Sequence, residues 1–104
     1  MRAYLKAPGQ RGHTVTIPNT LEIFQQLVGG YIECVTVAPD AIVVCDEEGR
    51  LKDKKYNCTI CGVDFVGNIV IVGRDGPEFD DLPEDWVKNL KDWEDAMEVL
   101  GCVW

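Results

Sequence analysis

The cysteines carry the most obvious chemistry of this chain, which holds five of them. Cys58 and Cys61 form a CxxC pair, a spacing used by zinc sites and by thiol–disulfide centres. A zinc site normally takes four ligands, however, and the sequence offers one such pair and a single histidine, His13. Cys34 and Cys45 lie in apolar stretches, where a free cysteine is commonly a small core residue. We expect reduced cysteines and no metal; a zinc or thiol module built on Cys58 and Cys61 is an alternative.

The sequence contains no spacing typical of a catalytic site. The glycines at the two ends of residues 67–73 do not match a dinucleotide fingerprint or a phosphate-binding loop. Glu47 and Glu48 are adjacent within a turn signal, where carboxylates are usually solvated rather than paired for acid–base chemistry. We therefore predict that the protein is not an enzyme and that it uses no cofactor.

The basic residues of the first 74 positions suggest a binding chemistry instead. If they met in space beside tyrosines, they would hold a small phosphate-bearing molecule. The alternative is that they form ordinary surface ion pairs, which are individually weak. The cations predicted to line such a pocket are Lys6, Arg11, Arg50, Lys54 and Lys55.

The net charge of −8 lies entirely in one part of the chain. Residues 1–74 hold eight acidic and eight basic residues, whereas residues 75–104 hold ten acidic residues and two lysines. An acidic balance disfavours direct binding to nucleic acid. The acidic segment is the basis of a second hypothesis, a protein-interaction module or DNA-mimic decoy that engages a basic host protein, although a solvated helix face is the simpler explanation.

The elements that would position these residues follow from periodicity and turn signals. Alternation predicts strands at 2–7 and 13–17, and Asn19 with Glu22 predicts a capped helix over 20–28 that ends at Gly29-Gly30. Strands are expected at 31–37 and 41–45, and a central strand at 65–72 with a bulge at Gly67. The pattern of residues 57–61 is ambiguous and compatible with a short helical turn capped by Asn57. The chain of 104 residues is long enough for one domain, 1–104. The prediction is an α+β fold with an antiparallel or mixed sheet of about five strands and two helices, in the order β-β-α-β-β-β-α.

The last element is an amphipathic helix. Its apolar stripe has spacings of three and four residues and consists of Leu82, Trp86, Leu90, Trp93, Met97 and Leu100. Trp86, Trp93 and the terminal Trp104 either complete the core or form a homo-oligomeric contact, where tryptophan is enriched. No apolar run approaches the length of a membrane span, and the first residues lack the apolar core of a signal peptide, so we expect a cytoplasmic protein.

Part of the chain resembles a known family. Residues 20–33 read TLEIFQQLVGGYIE and resemble the "LQ-x-x-VGGYIE" signature of a small domain family of unknown function, common in bacteriophages, plasmids and other mobile elements. Residues 46–51 and 64–71 agree with it as well. The resemblance implies an accessory protein of a mobile element and supplies no known catalytic or ligand residues. Within the signature, Tyr31 and Glu33 alternate onto one face of the predicted strand and join the candidate site.

These observations combine into one functional hypothesis. The protein is expected to be a non-enzymatic accessory binding protein of a phage or mobile element, acting in the bacterial cytoplasm. Its most specific form is a counter-defence protein that captures a small nucleotide signal in pockets between subunits. Its partners would be that small ligand or a host protein.

Overall fold

The structure is a computed structural model that describes residues 1–99, with side chains described through Met97. These residues form eight strands and two helices. Their bounds are β1 Arg2–Lys6, β2 His13–Thr16, α1 Leu21–Val28, β3 Ile32–Ala38, β4 Ala41–Asp46, β5 Tyr56–Ile60, β6 Val63–Val66, β7 Ile69–Asp75, β8 Glu78–Asp80 and α2 Glu84–Val99.

Six of the strands form one antiparallel sheet. Its order is β2-β1-β7-β4-β3, and β8 also pairs with β7. Gly73 of β7 lies opposite both Ala41 of β4 and Asp80 of β8, so β8 occupies the same edge of β7 as β1, farther along the strand. The apolar run of β7 is buried on both sides of the sheet, as expected of a central strand.

The two faces of the sheet pack against different layers. Val70 and Val72 of β7 lie on the face that α1 covers with Phe24 and Val28. Ile69 and Ile71 lie in the opposite core, which includes residues of the β5–β6 hairpin and of α2. The expected α+β fold of antiparallel strands and two helices is therefore confirmed. Its three layers are α1, the six-stranded sheet, and a layer formed by α2 and the β5–β6 hairpin.

Three local predictions were wrong. Residues 57–61 are not a helical turn but most of β5, which pairs with β6. The stretch 65–72 is not one bulged strand, because Gly67 has a φ of 71° and its turn separates β6 from β7. Asn19 does not cap α1; Thr20 precedes the helix and makes no side-chain cap hydrogen bond. The helix does end at Gly29, whose φ of 79° is left-handed, as its sequence predicts.

The acidic amphipathic helix is present as α2. Leu82 and Leu90 are buried, and Trp86 and Trp93 pack against the same core. Leu100 and Trp104, which the sequence placed in the stripe and in a contact surface, lie outside the described residues. Neither α1 nor α2 is long and apolar enough to cross a membrane.

Candidate functional site

Lys6 is buried rather than presented to a ligand. Only 2% of the Lys6 surface is exposed, and Lys6 Nζ donates a hydrogen bond to Asn57 Oδ1 at 2.8 Å. The Asn57 amide in turn donates to the carbonyls of Lys6 at 2.9 Å and Gly67 at 2.7 Å. Burial lowers the pKa of Lys6, because desolvation disfavours its charged form. Lys6 and Asn57 therefore fasten the β5–β6 hairpin to the sheet.

Arg11 joins the turn after β1 to α2. Its guanidinium contacts Glu94 Oε2 at 3.3 Å and Asp95 Oδ1 at 2.6 Å. Glu94 is fully buried and also accepts the backbone N–H of Gly12 at 3.0 Å. Glu94 lies four residues after Leu90 and three before Met97, so its burial follows from the helical spacing of the apolar stripe.

Two further lysines surround a buried carboxylate at the end of β4. The Asp46 side chain is 1% exposed, and its Oδ2 lies 2.6 Å from Lys54 Nζ and 2.9 Å from Lys52 Nζ. Burial alone would raise the pKa of Asp46, but hydrogen bonds from Lys54, Lys52 and the Glu48 N–H lower it to about 2. We call Asp46, Lys52 and Lys54 the Asp46 cluster.

The Asp46 cluster also closes the carboxyl end of α1. Lys54 Nζ donates to the carbonyl of Val28 at 2.7 Å, and Lys52 Nζ to that of Gly29 at 3.3 Å. These carbonyls carry the partial negative charge of the helix end, which favours cations. A Cβ at Gly30 would lie 2.7 Å from both Asp46 Oδ1 and Lys52 Nζ, so no side chain fits there without displacing the cluster. The double glycine thus has a structural role.

Tyr31 and Glu33 lie beyond these glycines. Tyr31 precedes β3, is 70% exposed, and accepts the Glu47 N–H through its carbonyl at 2.8 Å. Glu33 is an exposed residue of β3 and borders a cavity of about 190 Å³ together with Arg50. The Arg50 guanidinium donates to the carbonyl of Asp64 at 3.1 Å.

The predicted cations are thus not brought together within one chain. Lys54 and Lys55 border an open groove of about 450 Å³ at the end of α1, and Arg50 borders the separate 190 Å³ cavity. The Arg11 guanidinium is bound by two carboxylates of α2, and Lys6 is buried. The physical reason is that Lys6, Arg11 and Lys54 each meet a buried acceptor of the fold.

The CxxC pair divides between two environments. Cys58 is buried in β5, where burial raises its pKa to about 11. Cys61 is exposed in a two-residue hairpin loop with Gly62, and both have positive φ, as a type I′ turn requires. In the part of the chain that the structure describes, no three His, Cys, Asp or Glu side chains form a group that could hold a metal ion.

An apolar surface depression lies between α2 and the β5–β6 hairpin. This groove, of about 260 Å³, is lined by Thr59, Ile60, Cys61, Trp86, Asn89, Leu90 and Trp93, and we call it the Trp groove. Asp40 Oδ1 accepts the indole N–H of Trp86 at 3.0 Å and so orients that ring. The sequence identifies both tryptophans but not the wall formed by the hairpin, because the pattern of residues 57–61 does not distinguish a strand from a helical turn.

Three carboxylates are neighbours of residues that line the Trp groove. Asp85 and Asp92 are exposed on α2 and stand one turn before and one turn after Asn89, which lines the groove. On the hairpin side, Asp64 Oδ1 accepts the Thr59 hydroxyl at 2.6 Å. The apolar lining therefore has Asp85, Asp92 and Asp64 beside it, and we call these three carboxylates the acidic rim.

Comparison with protein families shows which family the chain belongs to. A family model described as "Domain of unknown function (DUF3846)" matches residues 1–95. The chain belongs to the DUF3846 family. The matched part of this DUF3846 domain contains the Asp46 cluster and the lining of the Trp groove. No curated protein and no solved structure matches the chain.

Proposed function

We propose that this DUF3846 domain is a non-enzymatic binding protein that receives an apolar side chain of a basic protein partner in the Trp groove. The single observation that carries the proposal is the combination of two partly buried tryptophans with a rim of exposed carboxylates. Tryptophan-lined pockets commonly provide most of the energy of a protein contact, and a charged rim steers a partner of opposite sign.

The wider charge distribution supports a basic partner. Six carboxylates between residues 75 and 85 are exposed, with no basic residue among them; they are Asp75, Glu78, Asp80, Asp81, Glu84 and Asp85. The last two of these carboxylates, Glu84 and Asp85, begin α2 and directly precede Trp86. A partner with a positive surface would therefore meet negative potential both at the groove and on its approach.

The biological setting that we propose follows from the resemblance to proteins of phages and mobile elements. In that setting the partner is a host DNA-binding or defence protein of the bacterial cytoplasm, and occupation of its basic surface constitutes counter-defence. Binding of this kind weakens with salt, because rim charges are screened over about 8–10 Å at physiological ionic strength.

The test uses synthetic peptides in place of the unidentified partner. A 12-residue peptide with a central Leu-Leu pair and Arg-rich flanks is titrated against the domain by fluorescence anisotropy. Two variants of it, one with Ser-Ser at the centre and one with Glu flanks, are titrated in parallel. We expect the parent peptide to bind about tenfold more tightly than either variant.

The binding site is located by paired substitutions of equal charge. Asn89→Arg introduces a cation on the groove lining and should weaken binding about tenfold, whereas Gln10→Arg adds the same charge at the exposed turn after β1. Equal affinity of the Leu-Leu and Ser-Ser peptides would overturn the proposal, since attraction would then be purely electrostatic. So would equal effects of the two arginine variants.

Capture of a small nucleotide is the second candidate. The observation that favours it is the 450 Å³ groove at the end of α1, a volume typical of ligand sites, with the exposed Lys55 on its border. Cyclic dinucleotides should raise the melting temperature by several degrees in the wild type and not in Lys55→Ala. Lys91→Ala, an exposed lysine of α2, is the control; no shift in any variant argues against nucleotide capture.

A further inference from the structure

The outer strand β3 presents a free sheet edge that is regular from Ile32 to Thr36 and has a register shift between Thr36 and Ala38. It is the last strand of the sheet, pairs only with β4 among the described residues, and spans seven residues rich in β-branched side chains. It contains no proline and no lysine, and its one charged residue is Glu33. The opposite edge strand β2 has four residues. Natural sheets usually protect long edges with charge, proline, bulges or short length, and the five residues before the register shift carry only Glu33 of these, so this part of β3 has the character of a pairing strand.

The backbone register identifies which groups of β3 are free. The N–H of Glu47 donates to the carbonyl of Tyr31 at 2.8 Å, so these two residues form a hydrogen-bonded pair. Hydrogen-bonded and non-hydrogen-bonded pairs alternate along an antiparallel ladder, which places Glu33 opposite Cys45 and Val35 opposite Val43 in bonded pairs. The N–H and C=O groups of the intervening residues, Ile32, Cys34 and Thr36, therefore point away from β4.

We propose that β3 pairs antiparallel with β3 of a second copy of this chain, about a two-fold axis at Cys34. Centring on Cys34 uses all three outward residues, because Ile32 then lies opposite Thr36 of the second copy and Cys34 opposite its own equivalent. Each such pair exchanges two backbone hydrogen bonds. Centring one residue earlier would bring the two Glu33 carboxylates face to face in a closely spaced pair, which is destabilising.

Exposed apolar side chains beside β3 supply independent support. Leu51 is 85% exposed and Val63 is 37% exposed, and both line the 190 Å³ cavity that Glu33 and Val35 also border. Large side chains left in water next to a free sheet edge are the expected neighbours of a seam between two copies. In the Cys34-centred register Glu33 lies opposite Val35 of the second copy, so no like charges oppose each other across the seam.

Proline substitutions on the two edges test the proposal. Thr36→Pro removes an outward N–H of β3 and should raise the dimer dissociation constant at least tenfold in sedimentation experiments, while the monomer keeps its circular dichroism spectrum. Thr14→Pro is the matched control on the opposite edge. Met1 and Ile17 exchange backbone hydrogen bonds, and bonded pairs alternate along the ladder, so the pair of Tyr4 and Thr14 is not bonded and the Thr14 N–H points outward from β2. We expect Thr14→Pro to dimerise as the wild type does.

Cysteine cross-linking of the wild type tests the same contact, and the result does not depend on whether the proline variants fold. Hydrogen-bonded antiparallel partners have Cα atoms about 5.5 Å apart, within reach of a disulfide. Mild oxidation should therefore yield a covalent dimer that Cys34→Ser abolishes and that Cys61→Ser, the other exposed described cysteine, retains. A monomer at all concentrations would overturn the proposal. So would a dimer cross-linked without Cys34, because its contact would lie elsewhere, for example at the Trp groove.

Discussion

Replacing Asp46 by asparagine tests the electrostatic account of the Asp46 cluster. The substitution keeps the shape of the side chain and removes the charge that Lys52 and Lys54 neutralise. The pKa of Asp46 falls from 3.8 to about 2 in the folded protein. Since one pKa unit corresponds to about 1.4 kcal/mol, the ionised carboxylate contributes about 2.5 kcal/mol to the free energy of unfolding near neutral pH.

The pH dependence of this contribution has a definite sign. A group whose pKa is lowered by folding stabilises the protein above its unfolded pKa, and the stabilisation disappears as the pH falls through the folded value. The difference in stability between wild type and Asp46→Asn should therefore be largest above about pH 5. It should decrease by about 2 kcal/mol as the pH approaches 2.

The measurement is urea unfolding followed by tryptophan fluorescence and circular dichroism at pH 6 and pH 2.5. Other carboxylates titrate in both proteins, so the quantity of interest is the difference between them at each pH. Asp92→Asn, which removes an exposed carboxylate of α2, serves as the control and should show a change within about 0.5 kcal/mol. A stability difference for Asp46→Asn that is the same at both pH values would refute the reasoning.

Two further predictions concern the glycine pair and the thiols. Gly29→Asn should cost less than about 1 kcal/mol, because asparagine tolerates a left-handed φ and its Cβ meets the flexible end of the Lys54 side chain at 3.1 Å. Gly30→Asn should cost about 1–3 kcal/mol, because its Cβ would lie 2.7 Å from both Asp46 Oδ1 and Lys52 Nζ; thermal unfolding of both variants compares them directly. Iodoacetamide at pH 8 should modify Cys61 in the folded protein and leave Cys45 and Cys58 intact, because burial raises the pKa of each of these two thiols to about 11. Peptide mass spectrometry measures the modification of each cysteine. Equal modification of all three would contradict the prediction.

Much of the fold follows from local signals in the sequence. The apolar spacing of α2 and the Gly29 termination of α1 predict those elements correctly, because each depends on residues close together in the chain. The strand at 65–72 was interpreted incorrectly because its continuous apolar run conceals a turn. At Gly67, the turn is held by the amide of Asn57 and the backbone of Lys55, both distant in sequence.

The site was harder to predict for the same reason. Lys6, Arg11 and Lys54 are indistinguishable from surface cations by sequence, yet each meets a buried acceptor contributed by another element: Asn57, Glu94 and Asp46 respectively. The Trp groove was predicted in part, since helical spacing identified Trp86 and Trp93. Its second wall depends on the pairing of β5 with β6, which periodicity alone does not determine.

The place of β1 in the sheet has a consequence for the order of folding. Arg2 bonds with Asp81 and Leu82, and β1 pairs with β7, so β1 acquires its inner neighbours from segments that follow it by more than 60 residues. During translation the completed β1–β2 hairpin remains without β7 until about 53 further residues have been synthesised, and isolated hairpins are marginally stable in water. We expect the sheet to assemble as one late event on a millisecond-to-second timescale, which makes the emerging chain a natural client for chaperones that shield unpaired strands.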